Sequence, residues 1–183
     1  EITLEINGAD RQLSVTPEET LLLALRNAGY FGVKYGCGSG ECGMCTVLID
    51  GKPVKSCIVK ATNAAGKSVT TIEGLSREGQ LDPVQQAFID TGAIQCGYCS
   101  PALILSAKAL LDRNPNPTEA DARRAFNPVM CRCTGYVRAV NAVLRAAAMK
   151  RGEKTLPFTH QERELPAPGS DYRLPEAYLR KDG

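Results

Sequence analysis

The spacing of apolar residues changes once along this chain, near residues 75–80. Before that point, short runs such as Ile2–Ile6 alternate apolar and polar residues, which is the two-residue period of a strand with one buried face. From Pro83 onward, apolar residues recur every three or four positions, which is the period of an amphipathic helix. The pattern therefore predicts a strand-rich unit followed by a helical unit.

The first unit is predicted to combine strands with one helix. Asn7-Gly8 is a turn signal that joins the first strand to a second one over Gln12–Val15. Thr16-Pro-Glu-Glu19 is typical of a capping box with proline at the first helical position, so a helix is expected to follow and to end near Gly29. Further strands are expected over residues 47–49, 54–57 and 69–72. This order of elements indicates an α+β fold of the β-grasp kind over residues 1–76.

The second unit, over residues 77–151, is predicted to be a small four-helix bundle. Asn114-Pro-Asn-Pro117 separates its second and third helices, and Thr118 is the expected N-cap of the third. Residues 152–183 are rich in proline and charge and lack periodicity, so they are expected either to be disordered or to form an extended C-terminal arm on a partner. We favour the arm, because large apolar residues recur along it as candidate anchors.

Composition limits the functions that the chain can have. Its 183 residues are 43% hydrophobic, which supports a packed core, and its net charge is only +2 without a basic run, so binding to nucleic acid is not expected. No apolar stretch approaches the ~18 residues of a membrane span. The chain starts directly with a strand, so a cytoplasmic location is expected, with export through a partner or after removal of a leader left open.

The candidate chemistry lies in eight cysteines that form two quartets. These are, in chain order, Cys37, Cys42, Cys45 and Cys57, then Cys96, Cys99, Cys131 and Cys133. The first quartet has the spacing of the plant-type ferredoxin ligands, and each quartet has the four thiolates that a [2Fe–2S] cluster needs. Four disulfides are the alternative, but such frameworks belong mainly to chains too short to build a core. We therefore expect two [2Fe–2S] clusters.

The first three cysteines stand on a glycine-rich loop, over residues 36–45. Its glycines are expected to supply positive φ angles and to leave backbone N–H groups pointing at sulfur, which would raise the reduction potential of a bound cluster. Gly38-x-Gly40-x-x-Gly43 also matches the dinucleotide-binding fingerprint. That motif should open a helix, whereas here it contains a ligand cysteine and leads into a strand, so nucleotide binding is rejected.

The second quartet admits two rivals to a cluster. The Cys96-Gly-Tyr-Cys99 pair resembles a thioredoxin-like dithiol, and four thiolates also suit structural zinc. A dithiol would leave Cys131-Arg-Cys133 unexplained, and that pair is tighter than the usual zinc spacing. Helix N-termini are predicted beside both pairs, at Ser100-Pro101 and at 134–137, and their dipoles favour an anionic cluster.

The remaining side chains offer little chemistry. His160, the one histidine, is expected to be solvated and not to bind metal. Met44 and Met130 flank cysteines and are expected to pack around the clusters. We find no nucleophile–base pattern, so no catalytic residue is expected on this chain.

Three motifs together resemble a known family. The chain is similar to the iron–sulfur subunit, or N-terminal portion, of molybdenum hydroxylases of the xanthine oxidase family, over about residues 2–150. The motifs are Cys37-Gly-x-Gly-Glu-Cys42-Gly-x-Cys45, Gln95-Cys96-Gly-Tyr-Cys99-Ser-Pro101 and Cys131-Arg-Cys133-Thr-Gly-Tyr136.

The resemblance implies an electron-transfer role beside a large molybdopterin-binding subunit. Gln95 and Cys133 would contact the pterin, and electrons would pass through both clusters to a flavin subunit or an external acceptor. The complex would hydroxylate an aldehyde or an N-heterocycle, and residues 152–183 would correspond to the connector of bacterial aldehyde oxidoreductases. The alternative is a free-standing two-cluster ferredoxin; the near-neutral charge and the long arm favour the subunit.

Overall fold

The computed structural model describes residues 1–155 of the protein. Its strands are β1 (Ile2–Ile6), β2 (Ala9–Leu13), β3 (Thr46–Ile49), β4 (Lys52–Lys55) and β5 (Ser68–Thr70). Its α-helices are α1 (Leu21–Asn27), α2 (Pro83–Asp90), α3 (Ser100–Arg113), α4 (Glu119–Phe126) and α5 (Tyr136–Lys150). The expected mixed architecture, a strand-rich unit followed by a helical one, is confirmed.

The five strands form one sheet in the order β2-β1-β5-β3-β4. Strands β1 and β5 are parallel, and the other neighbours are antiparallel. Alternate residues of β3 serve two cores, because successive side chains of a strand point to opposite faces. Val47 and Ile49 pack with the buried leucines of α1, whereas Leu48 packs with Leu105 and Ala109 of α3. The sheet is therefore covered on one face by α1 and on the other by the helical unit.

Helices α2 to α5 pack around a second core. Phe88 and Phe126 meet edge to face at its centre, with ring centroids 6.4 Å apart. A mostly buried ion pair between Asp90 and Arg145, 2.7 Å long, ties α2 to α5. Met44 of the glycine-rich loop also belongs to this core, so this loop of the strand-rich unit packs against the helical unit.

Strand β2 lies nearer to the turn than expected. Asn7 and Gly8 both have positive φ, 55° and 82°, and form a two-residue turn that places Ala9 opposite Ile6. The second strand therefore starts at Ala9 and ends at Leu13. The expected hairpin is confirmed, but its second strand begins three residues before the predicted Gln12 and ends at Leu13 instead of Val15, because the predicted bounds depend on apolar alternation, which this mostly exposed strand lacks.

Helix α1 begins later than the capping signal indicates. The Glu19 carboxylate does accept from the Thr16 backbone N–H, at 3.2 Å, but only an isolated turn forms there. Thr20 is the N-cap, and its hydroxyl accepts from the N–H of Leu23. The backbone N–H of Leu21 bonds the carbonyl of Val59 at 2.7 Å, so a distant segment fixes where the helix starts. The N-cap expected at Thr16 is wrong.

Within residues 1–155, no helix has both the length and the apolar character needed to cross a membrane. The expected arm or connector over residues 152–183 lies almost wholly outside the described residues, as does His160.

Candidate iron–sulfur sites

The glycine-rich loop directs its amides at one sulfur. The Sγ of Cys37 accepts hydrogen bonds from the backbone N–H groups of Ser39, Glu41 and Cys42, each at 3.4 Å. This curl depends on glycines with positive φ, namely Gly38 at 73°, Gly40 at 83° and Gly43 at 70°. The N–H groups place partial positive charge around the sulfur, which stabilises its thiolate.

The loop is also fixed from both sides. A Cβ at Gly36 would lie 2.5 Å from the Sγ of Cys42, so only glycine lets the chain pass this sulfur. On the other side, the ammonium of Lys55 donates to the carbonyl of Gly40 at 2.6 Å, which fastens the loop to β4 and brings a cation to the site. The shape of the loop therefore depends on a close contact within it, whereas its attachment to β4 and the nearby positive charge come from Lys55, outside it.

Cys57 reaches the first site from a short turn. The expected position was a strand, but β4 ends at Lys55 and Cys57 lies in a 3₁₀ turn over Ser56–Ile58. Its backbone N–H donates to the Sγ of Cys45 at 3.4 Å, and the Ser56 hydroxyl donates to the Cys45 carbonyl at 2.7 Å. The turn thus holds the fourth thiol beside the third.

The second quartet is built from the loops that precede two helices. Cys99 is the N-cap residue of α3, and Gly135 is that of α5, so both predicted helix starts are confirmed. The phenol of Tyr136 holds the second of these loops by accepting from the N–H of Cys131 at 2.6 Å and donating to the carbonyl of Val129 at 2.9 Å. Both cysteine pairs therefore lie at helix N-termini, where the backbone favours anions.

Each quartet combines exposed and buried thiols with opposite pKa shifts. Hydrogen bonds from the backbone of Cys42 and from Ser39 lower the pKa of Cys37 to about 5, and the backbone N–H of Tyr98 lowers the pKa of Cys96. Burial raises the pKa of Cys57 to about 11 and that of Cys99 to about 12. The buried thiols must lose protons when metal binds, so metal affinity is expected to fall with falling pH.

The thiols of each quartet lie in pairs. Cys37 lies beside Cys42 and Cys45 beside Cys57; in the second quartet Cys96 lies beside Cys133 and Cys99 beside Cys131. Within residues 1–155, no group of three or more potential ligands is arranged to hold a single metal ion. Two neighbouring pairs of thiolates suit two irons, each of which takes two protein sulfurs in a [2Fe–2S] cluster. The donor set therefore fits the cluster, and all eight cysteines, which lie within the described residues, are thiols and not disulfides.

The two predicted pterin contacts lie near each other, at the exposed side of the second quartet. Gln95 is exposed, and its side-chain amide lies so close to Gly135 that a Cβ there would be 3.0 Å from Nε2. Gly135 follows Cys133 by two residues, so the structure brings Gln95 to the loop that carries Cys133. Large apolar side chains are exposed in the segments that carry the second quartet, namely Ile94 at 42%, Tyr98 at 47%, Met130 at 59% and Val137 at 62%. Of the two methionines expected to pack around the clusters, only Met44 is buried.

The cysteine motifs do not predict the contacts that join the two cysteine-bearing regions. The backbone N–H of Met130 donates to the carbonyl of Cys42 at 2.9 Å, and the Tyr98 phenol donates to the carbonyl of Tyr35. Gly43 lies directly against Pro128. Gly43 and Tyr98 lie between the cysteines of the two motifs, and this position was the only sequence signal of their importance. A motif does not show which residues its spacers contact.

The chain resembles known iron–sulfur proteins along most of its length. Residues 4–71 match the family of 2Fe-2S iron-sulfur cluster binding domains, and residues 71–144 match the [2Fe-2S] binding domain family. The nicotinate dehydrogenase small FeS subunit of Eubacterium barkeri is 44% identical over 147 residues, which cover 80% of this chain and 93% of that protein. The xanthine dehydrogenase iron-sulfur-binding subunit of Escherichia coli is 46% identical over 78% of this chain and 92% of that protein.

The fold gives the same assignment. The crystal structure of the aldehyde oxidoreductase from Desulfovibrio desulfuricans superposes with a TM-score of 0.79 and 49% identity, over 84% of this chain and 17% of that longer one. This chain therefore belongs to the family of two-cluster iron–sulfur subunits, and equivalent N-terminal portions, of the molybdenum hydroxylases related to xanthine oxidase.

Proposed function

We propose that this chain is the electron-transfer subunit of a molybdenum hydroxylase. The observation that carries the proposal is the pair of complete thiol quartets, whose surrounding segments are joined by two hydrogen bonds. A [2Fe–2S] cluster supplies reversible one-electron chemistry when it is bound. The chain's own residues provide the thiolates, the N–H groups that stabilise them and the helix N-termini that favour negative charge.

The residues proposed as ligands divide between two domains. Cys37, Cys42, Cys45 and Cys57 belong to a β-grasp ferredoxin domain over residues 1–76, and Cys96, Cys99, Cys131 and Cys133 to a four-helix bundle over residues 77–151. Residues 152–183 are proposed to be an extended connector. The two separate hydrophobic cores support this division.

The partner is proposed to be a large subunit that holds a molybdopterin cofactor against the second quartet. The exposed apolar side chains around that quartet support a protein partner, because such side chains are favoured when another surface covers them. The same feature favours a subunit over the alternative, a free-standing ferredoxin that docks transiently. The substrate class proposed for the complex is an aldehyde or an N-heterocycle, and the acceptor is a flavin subunit or an external protein.

The function is tested first by the metal content of the chain. Anaerobically purified protein is expected to contain about four irons and four acid-labile sulfides per chain, because each quartet suits one cluster. Reduction should produce two distinct EPR signals, and the chain alone should accept electrons without hydroxylating aldehydes or N-heterocycles. Stoichiometric zinc, or iron at one site only, would contradict the proposal.

Gln95 and Cys133 are proposed to contact the pterin, so that electrons enter at the second quartet and leave by the first. Gln95→Ala should leave both clusters assembled and weaken coupling to the cofactor by about 1 kcal/mol, the worth of a neutral hydrogen bond. The measurement is EPR of the reconstituted complex, in which the second site's signal should couple magnetically to the partner's paramagnetic molybdenum. Coupling to the first site's signal instead would reverse the proposed order.

A further inference from the structure

The two cluster-binding loops meet at one main-chain hydrogen bond. The N–H of Met130 donates to the carbonyl of Cys42 at 2.9 Å, and within residues 1–155 it is the one main-chain hydrogen bond between the strand-rich unit and the helical unit. Cys42 belongs to the first quartet, and Met130 is bonded covalently to Cys131 of the second. The path from Cys131 to Cys42 therefore consists of the backbone of one residue, Met130, and one hydrogen bond.

The backbones are held in close approach around this bond. A Cβ on Gly43 would lie 2.1 Å from the carbonyl oxygen of Pro128 and 3.0 Å from the Cα of Val129. Glycine at this position lets the first loop lie directly on the segment that leads to Cys131. The Tyr136 phenol fixes that segment from behind, through its bonds to Val129 and Cys131. Both ends of the Cys42–Met130 hydrogen bond are thus immobilised.

We propose that this hydrogen bond is the route by which electrons cross between the two sites, an inference that rests on the proposed function. The path leads from the Cys131 sulfur along its backbone to the N–H of Met130, then through the carbonyl of Cys42 to the Cys42 sulfur. Electronic coupling decays less along covalent and hydrogen bonds than across van der Waals gaps. With both clusters bound, one electron would cross at a time: the cluster held by the second quartet would be oxidised and that held by the first reduced, with no covalent bond formed or broken and no proton transferred.

The other hydrogen bond between the loops is a poorer route. The phenol of Tyr98, which precedes Cys99, donates to the carbonyl of Tyr35. A path through this bond starts at Cys99 and must follow the whole side chain of Tyr98. Beyond the Tyr35 carbonyl it must also pass through Gly36 before it reaches Cys37. Its role is to hold the units together, and it supplies a matched comparison for the shorter route.

The test removes each hydrogen bond separately from the chain with both clusters assembled. Met130→Pro deletes the donor N–H. Met130→Ala keeps the N–H and removes only an exposed side chain, and Tyr98→Phe deletes the other bond. Iron, sulfide and both reduction potentials are measured first. Flash photoreduction followed by freeze-quench EPR then gives the rate at which an electron redistributes between the two signals.

The proline variant is expected to lose fast redistribution while its two potentials stay unchanged, and the two controls are expected to keep the wild-type rate. An unchanged rate in Met130→Pro, or an equal loss in Tyr98→Phe, would overturn the route. If the proline variant fails to assemble both clusters, the α-hydroxy analogue of methionine at position 130 replaces the N–H with an ester oxygen, and its rate decides. Failure of the wild-type chain to assemble two clusters would refute the proposed function instead.

Discussion

Cys45→Ser is expected to abolish the first cluster and to leave the second assembled. The Cys45 thiol is buried in the sheet core and accepts a hydrogen bond from the N–H of Cys57, so the substitution removes one of the four thiols of the first quartet at a buried position. The thiols of the second quartet come from the loops before α3 and α5, and these helices pack in a different core. Iron content should fall by half, and one of the two reduced EPR signals should disappear.

The reciprocal variant is the control for this result. Cys99→Ser removes a buried thiol of the second quartet and should abolish the other signal while sparing the first. Loss of both signals in both variants would mean that neither site assembles without the other, which contradicts independent quartets. A signal that persists unaltered in Cys45→Ser would remove Cys45 from the ligand set.

Gly43→Ala is expected to destabilise the chain by about 2–5 kcal/mol. Roughly 1–2 kcal/mol comes from placing a side chain at positive φ, and about 1–3 kcal/mol from overpacking against a rigid backbone. The overpacking arises because the new Cβ would lie 2.1 Å from the Pro128 carbonyl oxygen, and φ at this residue is +70°. The measurement is the free energy of unfolding by chemical denaturation, compared at equal cluster content.

Gly51→Ala separates the two contributions. Gly51 has nearly the same φ, +75°, but nothing lies within 4 Å of the position that a Cβ would take. Its substitution should cost only the conformational part, roughly 1–2 kcal/mol. If both alanine variants lose the same stability, the close contact between Gly43 and Pro128 does not constrain the chain.

Much of the fold follows from local sequence signals. Helix α4 illustrates this: Thr118 is the N-cap that its sequence predicts, and its hydroxyl accepts from the N–H of Asp121 as a capping box requires. Helix α1 shows the limit, because the signal at Thr16 is equally good locally but the start at Leu21 is fixed by a bond to Val59. Local patterns predict elements well where no distant segment competes for the same backbone groups.

The candidate sites divide in the same way. Cysteine spacing predicts that Cys37, Cys42 and Cys45 lie close together, because they share one short loop, and that Cys96 lies near Cys99 and Cys131 near Cys133. It does not predict that Cys57 lies on a turn, which depends on where β4 stops pairing. Nor does it predict the contacts of Cys42 with Met130 or of Tyr98 with Tyr35, because the packing of one unit on the other brings together residues far apart in sequence.

The boundary between the two hydrophobic cores runs through the glycine-rich loop. Met44 is buried among the helices, and the next residue, Cys45, is buried in the core under the sheet, so one peptide bond connects the two interiors. Unfolding of either core would displace a residue of the glycine-rich loop, which contributes to both cores. We therefore expect residues 1–151 to unfold in one cooperative transition, although they contain two cores. Cutting the chain at residues 75–80 would expose Met44 to water and would remove the helical unit against which the glycine-rich loop packs.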